Sequence, residues 1–138
     1  EKLNRNITKN DENEILESRN AYNSLNDEAK SLVKNLDILE RAERKSKVIN
    51  LIDKIGRDDN KNDTVENRVN KYIEDVKKAK EAYDTLSEEE KNTISPLDRE
   101  FLNGALVTVE QLNTEARDKA IAEKLGKIYS IRWKKSYS

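Results

Sequence analysis

The sequence predicts an all-α protein, an antiparallel helical bundle built from two repeated units, each with a long, a short and a long helix. The 138 residues include only 3 Gly and 1 Pro, so few positions interrupt a helix. Apolar residues recur every three or four positions, which is the period of one helix face. One stretch, 21–30, returns as 82–91, and such internal repetition favours packed helical units.

The repeated stretch extends beyond its best-matched core. Between 15–37 and 76–98, seven of 23 positions are identical, and each residue lies 61 positions after its counterpart. Tyr22 matches Tyr83 in this alignment. The matched positions include the inward stripe and the inter-helix turn, which a packed helical hairpin must preserve. Neither unit can cover its apolar stripe alone, so the long helices are expected to pack together.

The first helices are predicted from apolar spacing and capping residues. Residues 1–10 form a lead-in with few large apolar groups. Asp11 with Glu14 resembles a capping box ahead of a helix over 12–25. Asn26 is expected to cap a short helix, roughly 27–34. The inward residues are expected to be Ile15, Ser18, Tyr22 and Leu25, followed by Leu32 or Val33.

A third helix is predicted over 36–55, and Gly56 suits its left-handed C-terminal cap. A polar loop, 57–63, follows. Thr64 is expected to cap the next helix, over 65–86. The stripes of these helices are Leu36, Leu39, Ala42, Ile49, Ile52 and Ile55, and then Val65, Val69, Tyr72, Val76, Ala79, Tyr83 and Leu86.

The second unit closes like the first. Ser87 with Glu90 forms a capping box for a short helix to about 94. Ser95 and Pro96 suit the cap and first position of a last long helix. That helix is expected to end at Gly126. Its predicted stripe is Leu97, Phe101, Ala105, Val109, Leu112, Ala116, Ile121 and Leu125.

These patterns divide the chain into a first unit over 1–56, a second over 64–126 and a tail over 127–138. The tail is basic, contains no acidic residue and holds the only Trp. It is interpreted as a strand or helix packing on the bundle, or as a connector to a further module. The alternative is contact with an anionic wall polymer, a membrane surface or single-stranded nucleic acid. Its candidate contact residues are Lys127, Tyr129, Arg132, Trp133, Lys134 and Lys135.

Composition argues against an enzyme and against a cofactor. The chain has no His and no Cys, so the usual nucleophile–base pairs and thiolate or His-based metal sites cannot be built. A net charge of −1 gives no bulk preference for nucleic acid. No apolar run approaches the roughly 20 residues of a membrane-spanning helix. The acidic loop 58–63 superficially resembles a calcium loop but lacks its glycine and closing glutamate, so a solvated linker is favoured.

The second copy carries a recognisable rhythm. Val76-x-x-Ala79-Lys80-x-Ala82-Tyr83-Asp84-x-Leu86-Ser87-x-Glu89-x-Lys91-x-x-Ile94, preceded by the run 48–55, resembles a helical repeat. That repeat is common in multi-modular surface and secreted proteins of Gram-positive bacteria, beside S-layer-homology, immunoglobulin-like and carbohydrate-active domains. Asn23 and Pro96 depart from it, and the tail has no place in it. The resemblance implies an extracellular spacer or adhesive role and no catalytic residue.

The expected function is therefore a non-catalytic spacer or interaction module on a bacterial surface. Its partners would be neighbouring domains of the same polypeptide. One alternative is a binding module for cell-wall glycan or a host protein, in which Tyr22 and Tyr83 form aromatic platforms; as core aromatics they would serve packing instead. The other alternative is an intracellular coiled-coil adaptor.

Overall fold

The computed structural model describes residues 8–57 and 59–137, and it describes every side chain in these ranges except 129 and 131–137. All of its regular structure is helical within that part of the chain. A 3₁₀ turn at Lys9–Asp11 precedes six helices: α1 Glu12–Asn23, α2 Asp27–Ser31, α3 Leu36–Lys54, α4 Val65–Asp84, α5 Glu88–Asn92 and α6 Pro96–Tyr137. The predicted all-α fold class is confirmed. Residues 1–7 of the predicted lead-in, 1–10, lie outside the described residues.

Contacts within the chain group into two compact units, Glu1–Asn103 and Gly104–Ser138. The first unit contains α1 to α5 and the start of α6. The second consists of the rest of α6, where every described side chain from 115 to 128 is exposed. The sequence-based boundaries 1–56, 64–126 and 127–138 stay a prediction.

Helices α1 and α3 run antiparallel, because residues late in one pair with residues early in the other. Arg19 of α1 donates to Glu43 of α3, with Nε 2.9 Å from the carboxylate. Asn50, further along α3, donates to Glu12 at the start of α1, at 3.1 Å. These polar bonds, one partly buried and one exposed, link the two helices in this antiparallel register.

The core of the first unit lies along α3 and α4, which pack directly together. Its largest fully buried side chains are Val48, Ile52, Val76, Ile94 and Leu102, each no more than 1% exposed. Burying one such aliphatic side chain contributes about 1.5–3 kcal/mol to stability. Three of these five residues belong to α3 and α4, so the hydrophobic spacing of these two helices supplies much of the core.

Several parts of the predicted stripes are wrong. Val65, the first residue of α4, is 72% exposed. Ala116, Ile121 and Leu125 of the predicted α6 stripe are exposed as well. In α6, Leu97 and Phe101 are exposed, and the buried residue is Leu102, which was not predicted. In α3 the inward residues are Leu39 and Ala42, whereas in α6 they are Leu102 and Ala105, 63 positions later. These inward residues of α3 and α6 are thus 63 positions apart, whereas Tyr22 and Tyr83 are 61 positions apart.

The helix caps and helix ends show which predictions from local sequence the structure contains and which it does not. Gly56 ends α3 with φ of 75°, as predicted. The box predicted between Asp11 and Glu14 is wrong, because Asp11 instead accepts from the Thr8 N–H at 2.9 Å. Gly126 was expected to end the last helix, yet α6 continues to Tyr137. A glycine inside a helix costs only about 1 kcal/mol relative to Ala, so flanking helix formers override it.

Candidate functional site

The turn after α1 is built around Tyr22, whose ring is half-buried. The guanidinium carbon of Arg19 lies 5.5 Å from the ring centroid, and Nζ of Lys30 lies 5.6 Å from it. Arg19 comes from the preceding turn of α1 and Lys30 from α2. The ring therefore links the two helices through contacts between cations and its π system, each contributing about 0.5–1 kcal/mol at an exposed site.

The turn after α4 repeats this arrangement. Nζ of Lys80 lies 5.9 Å from the Tyr83 ring centroid, and Nζ of Lys91 lies 5.5 Å from it. All three residues lie 61 positions after their counterparts in the first turn. Each tyrosine therefore contacts two cations of its own chain, and the role of Tyr22 and Tyr83 as platforms for a sugar ring stays a prediction.

The short helices that follow also match. In α2 the Asn26 side chain accepts from the Ala29 N–H at 2.8 Å, and in α5 Ser87 accepts from the Glu90 N–H at 3.1 Å. The predicted caps at Asn26 and Ser87 are confirmed. Helices α2 and α5 each contain five residues, and their bounds are 61 positions apart. We call residues 22–33 the first turn and residues 83–94 the second turn.

The two turns differ in burial. Leu86 and Ile94 of the second turn are 4% and 1% exposed. Their counterparts in the first turn are Leu25, which is 37% exposed, and Val33, which is half-buried. Of the two residues predicted to turn inward after α2, Val33 does so, whereas Leu32 is 74% exposed. The first turn therefore keeps apolar surface open that the second turn covers.

This open surface forms a groove of about 540 Å³ between α1 and the start of α3. We call it the first-turn groove. Its lining residues are Glu14, Ser18, Ala21, Tyr22, Leu25, Val33, Asn35, Leu36, Ile38 and Leu39. Sequence reasoning assigned several of these residues to the core and missed the groove. The sequences of the two copies do not indicate this groove, because both copies contain the apolar residues.

An ion pair connects α3 to the second turn. Arg44 donates to the Glu90 carboxylate through Nη2 at 3.0 Å and more weakly through Nε at 3.4 Å. The hydrogen bond from Arg44 lowers the pKa of Glu90, and burial opposes it. Sequence reasoning assigned Glu90 to a reciprocal capping box and missed this partner. The first turn has Ala29 at the corresponding position, so it lacks the carboxylate that such a bond needs.

Lys45 is the buried cation of α3, with only 5% of the residue exposed. Burial lowers its pKa, while the nearby Glu90 opposes that change. Its position on the side of α3 that faces Ser87, Glu90 and Thr93 puts its aliphatic stem in the core and its charge toward the acidic end of α5. The stripe predicted for α3 did not include Lys45, because that stripe was drawn from apolar residues only.

A second groove, also about 540 Å³, lies between the end of α3 and the start of α6. The exposed side chains of Leu97 and Phe101 line it beside Asp98. Burial raises the pKa of Asp98, and the charge of Asp53 adds to the effect. Asp53 is itself paired with Lys9 and Arg57, so its charge is partly compensated.

The acidic loop before α4 uses its carboxylates internally. Arg68 donates to both oxygens of Asp59, at 2.8 and 2.6 Å, and this bond lowers the pKa of Asp59. Asp63 accepts from the Thr64 N–H and from the Asn67 side chain. These contacts orient the loop toward the N-terminus of α4. Asp58 lies outside the described residues, and the described part of the chain contains no group of three metal-ligating side chains.

The tail continues α6. Lys127 is exposed on that helix. The side chains of Tyr129, Arg132, Trp133, Lys134 and Lys135, the other predicted contact residues, lie outside the described part of the structure. Their role stays a prediction. Among the described helices, none is both long and apolar enough to cross a membrane.

Comparison with known proteins found no matching family model, no matching curated protein and no matching solved structure.

Proposed function

We propose that this chain is a non-catalytic helical module of a bacterial cell-surface protein, built from two repeated units of a long, a short and a long helix. It acts as a spacer and interaction surface between neighbouring domains of the same polypeptide. The supporting observation is the recurrence, 61 positions apart, of a tyrosine contacted by one cation from its own helix and one from the following short helix.

The repeated hydrogen bonds add to this support. The Leu25 N–H donates to the Tyr22 carbonyl at 3.1 Å, and the Leu86 N–H donates to the Tyr83 carbonyl at the same distance. A duplicated turn keeps the angle between a long and a short helix the same in both copies. A protein that repeats one helical unit gains length and surface by adding units, which is what a spacer requires.

The chemistry of the described surface fits a steric role. Exposed ion pairs within single helices, such as Lys71 with Asp75 and Lys80 with Asp84, cover α4 on its outer side. Such pairs contribute only a few tenths of a kcal/mol each, but they keep a long helix hydrated. The resemblance of the second copy to repeats of Gram-positive surface proteins supports the extracellular assignment.

The role is tested on the organism that encodes the chain. Antibodies raised against the purified chain should label intact cells, and brief proteolysis of intact cells should remove the label. The purified chain should sediment as a monomer over a wide concentration range. Labelling only after the cells are lysed would overturn the surface role.

One alternative has an observation in its favour. The C-terminal half of α6 exposes Ile121, Leu125 and Ile128 at steps of four and three, and each is between 45% and 55% exposed. This spacing is the seam of a coiled coil, which favours the intracellular adaptor that dimerises through α6. A dimer that Leu125→Lys converts to a monomer, together with labelling only in lysed cells, would support the adaptor over the spacer. Binding of cell-wall glycan or a host protein stays a prediction, with Tyr22 and Tyr83 as its candidate contact residues.

A further inference from the structure

The second turn shows what covers this kind of surface. Helix α3 lies across it, with Ile38, Arg41 and Lys45 on one side of a shallow cleft and Ser87, Glu90 and Thr93 on the other. Leu86 and Ile94 are buried beneath. The second turn is therefore a docking surface that is already occupied, and its occupant is an amphipathic helix of the same chain.

The corresponding surface of the first turn lies open in the first-turn groove, which the start of α3 borders on one side only. Leu25 and Val33 correspond to Leu86 and Ile94 and remain accessible in the first-turn groove. The aromatic contacts and the cap that shape the turn are formed in both copies. The groove is thus held in place by the turn itself and does not depend on an occupant.

Charge indicates which kind of helix fits. Residues 11–40, which contain the groove, carry eight acidic and three basic residues, a net charge of −5. The segment of α3 over 41–47, which crosses the second turn, carries four basic residues and one acidic residue, a net charge of +3. An aliphatic stripe flanked by Arg and Lys is therefore complementary in charge to the segment that contains the first-turn groove.

We propose that the first-turn groove binds an amphipathic helix whose aliphatic stripe is flanked by Arg and Lys, supplied by another protein segment and seated as α3 is seated on the second turn. This inference rests on the repeat proposed above. It assigns a binding surface to one copy only, because the corresponding surface of the other copy is already filled.

The probe is a fluorescent synthetic peptide with the sequence of residues 36–56, which is the helix known to fit the second turn. Anisotropy titrations with the full chain at low salt should show saturable binding. Leu25→Asp places a charge in the groove, so it should raise the apparent Kd at least tenfold. The matched control is Leu16→Asp, since Leu16 is 58% exposed on α1 and does not line the groove. This control should leave the Kd within twofold of the unsubstituted value.

Further variants keep the test decisive. Ala21→Arg places bulk in the groove from an exposed position, so this variant is expected to fold and to weaken binding as Leu25→Asp does. Circular dichroism checks that both variants are folded. A peptide with Arg41, Arg44 and Lys45 changed to Glu should bind at least tenfold more weakly. Absence of saturable binding, or equal effects of Leu16→Asp and Leu25→Asp, would overturn the proposal.

The remaining outcomes separate this proposal from its neighbours. A concentration-dependent dimer of the chain that Leu25→Asp abolishes would place a second copy in the groove and would overturn the proposed occupant. If antibodies label the chain on intact cells but the chain does not bind the peptide, only the proposed binding function of the groove is overturned. If the chain binds the peptide but is absent from the cell surface, the surface role is overturned and the proposed binding by the groove stands.

Discussion

The first and second turns carry matching backbone hydrogen bonds and two cations around a tyrosine, yet the first leaves its leucine accessible and the second buries it. Leu25 and Leu86 make equivalent backbone bonds, at 3.1 Å in both cases. Their exposures are nevertheless 37% and 4%, and only the second turn is paired with α3 through Arg44 and Glu90. Local sequence thus determines the shape of the turn, whereas the next helix determines whether that shape becomes core or surface.

The largest expected difference between the turns is in the free energy of unfolding after truncation. Leu86→Ala removes a buried side chain and leaves a cavity, so we expect a loss of about 2–4 kcal/mol. Leu25→Ala removes a partly exposed side chain, so we expect a loss of less than about 1 kcal/mol. Urea unfolding followed by circular dichroism measures both. Equal losses would contradict the difference in packing.

The caps are expected to behave alike in the two turns. Asn26→Ala and Ser87→Ala each remove one side-chain acceptor from an exposed helix start, and each should cost about 1 kcal/mol. The same urea titrations measure the effect, with Asn26→Ser as a control that keeps an acceptor and should cost far less. A cap that mattered in only one turn would break the equivalence of the two copies.

The smallest difference concerns acid stability. Arg44 holds the pKa of Glu90 below its usual value of 4.5, so the carboxylate stabilises the fold above that pH and the contribution is lost as the pH falls below it. Glu90→Gln should lower stability at pH 7 by about 1 kcal/mol or less, because Arg44 is 43% exposed and water screens the pair. The variant should also lose less stability than the unsubstituted chain between pH 5 and pH 3.

A steeper acid loss in Glu90→Gln than in the unsubstituted chain would contradict the lowered pKa. The first turn has Ala29 in place of Glu90, so the neutral substitution Ala29→Gln should not alter the acid response.

Sequence reasoning predicted the elements whose signals are local. The caps at Asn26, Thr64 and Ser87 and the glycine after α3 follow from side-chain and backbone geometry within four residues, and the structure contains them. The start of α6 at Pro96 is likewise local, since proline suits the first helical position.

The misses depend on tertiary contacts. Leu97 and Phe101 continue the apolar period of α6 as well as Leu102 does, so periodicity could not show which face the rest of the unit covers. The partnership of Arg44 with Glu90 joins residues 46 positions apart, and no local pattern signals it. The candidate groove was missed for the same reason, because its openness is set by the absence of a covering helix and not by its own residues.

Hydrogen exchange of four backbone amides tests the central claim most directly. The N–H groups of Leu25 and Leu86 make the same bond, and those of Val33 and Ile94 donate to their matching lysine carbonyls at 3.1 and 3.2 Å. Packing alone should therefore set any difference in protection. We predict measurable protection at all four, with Leu86 and Ile94 exchanging at least about tenfold more slowly than Leu25 and Val33. Equal rates in the two turns, or no protection in the first turn, would contradict the account.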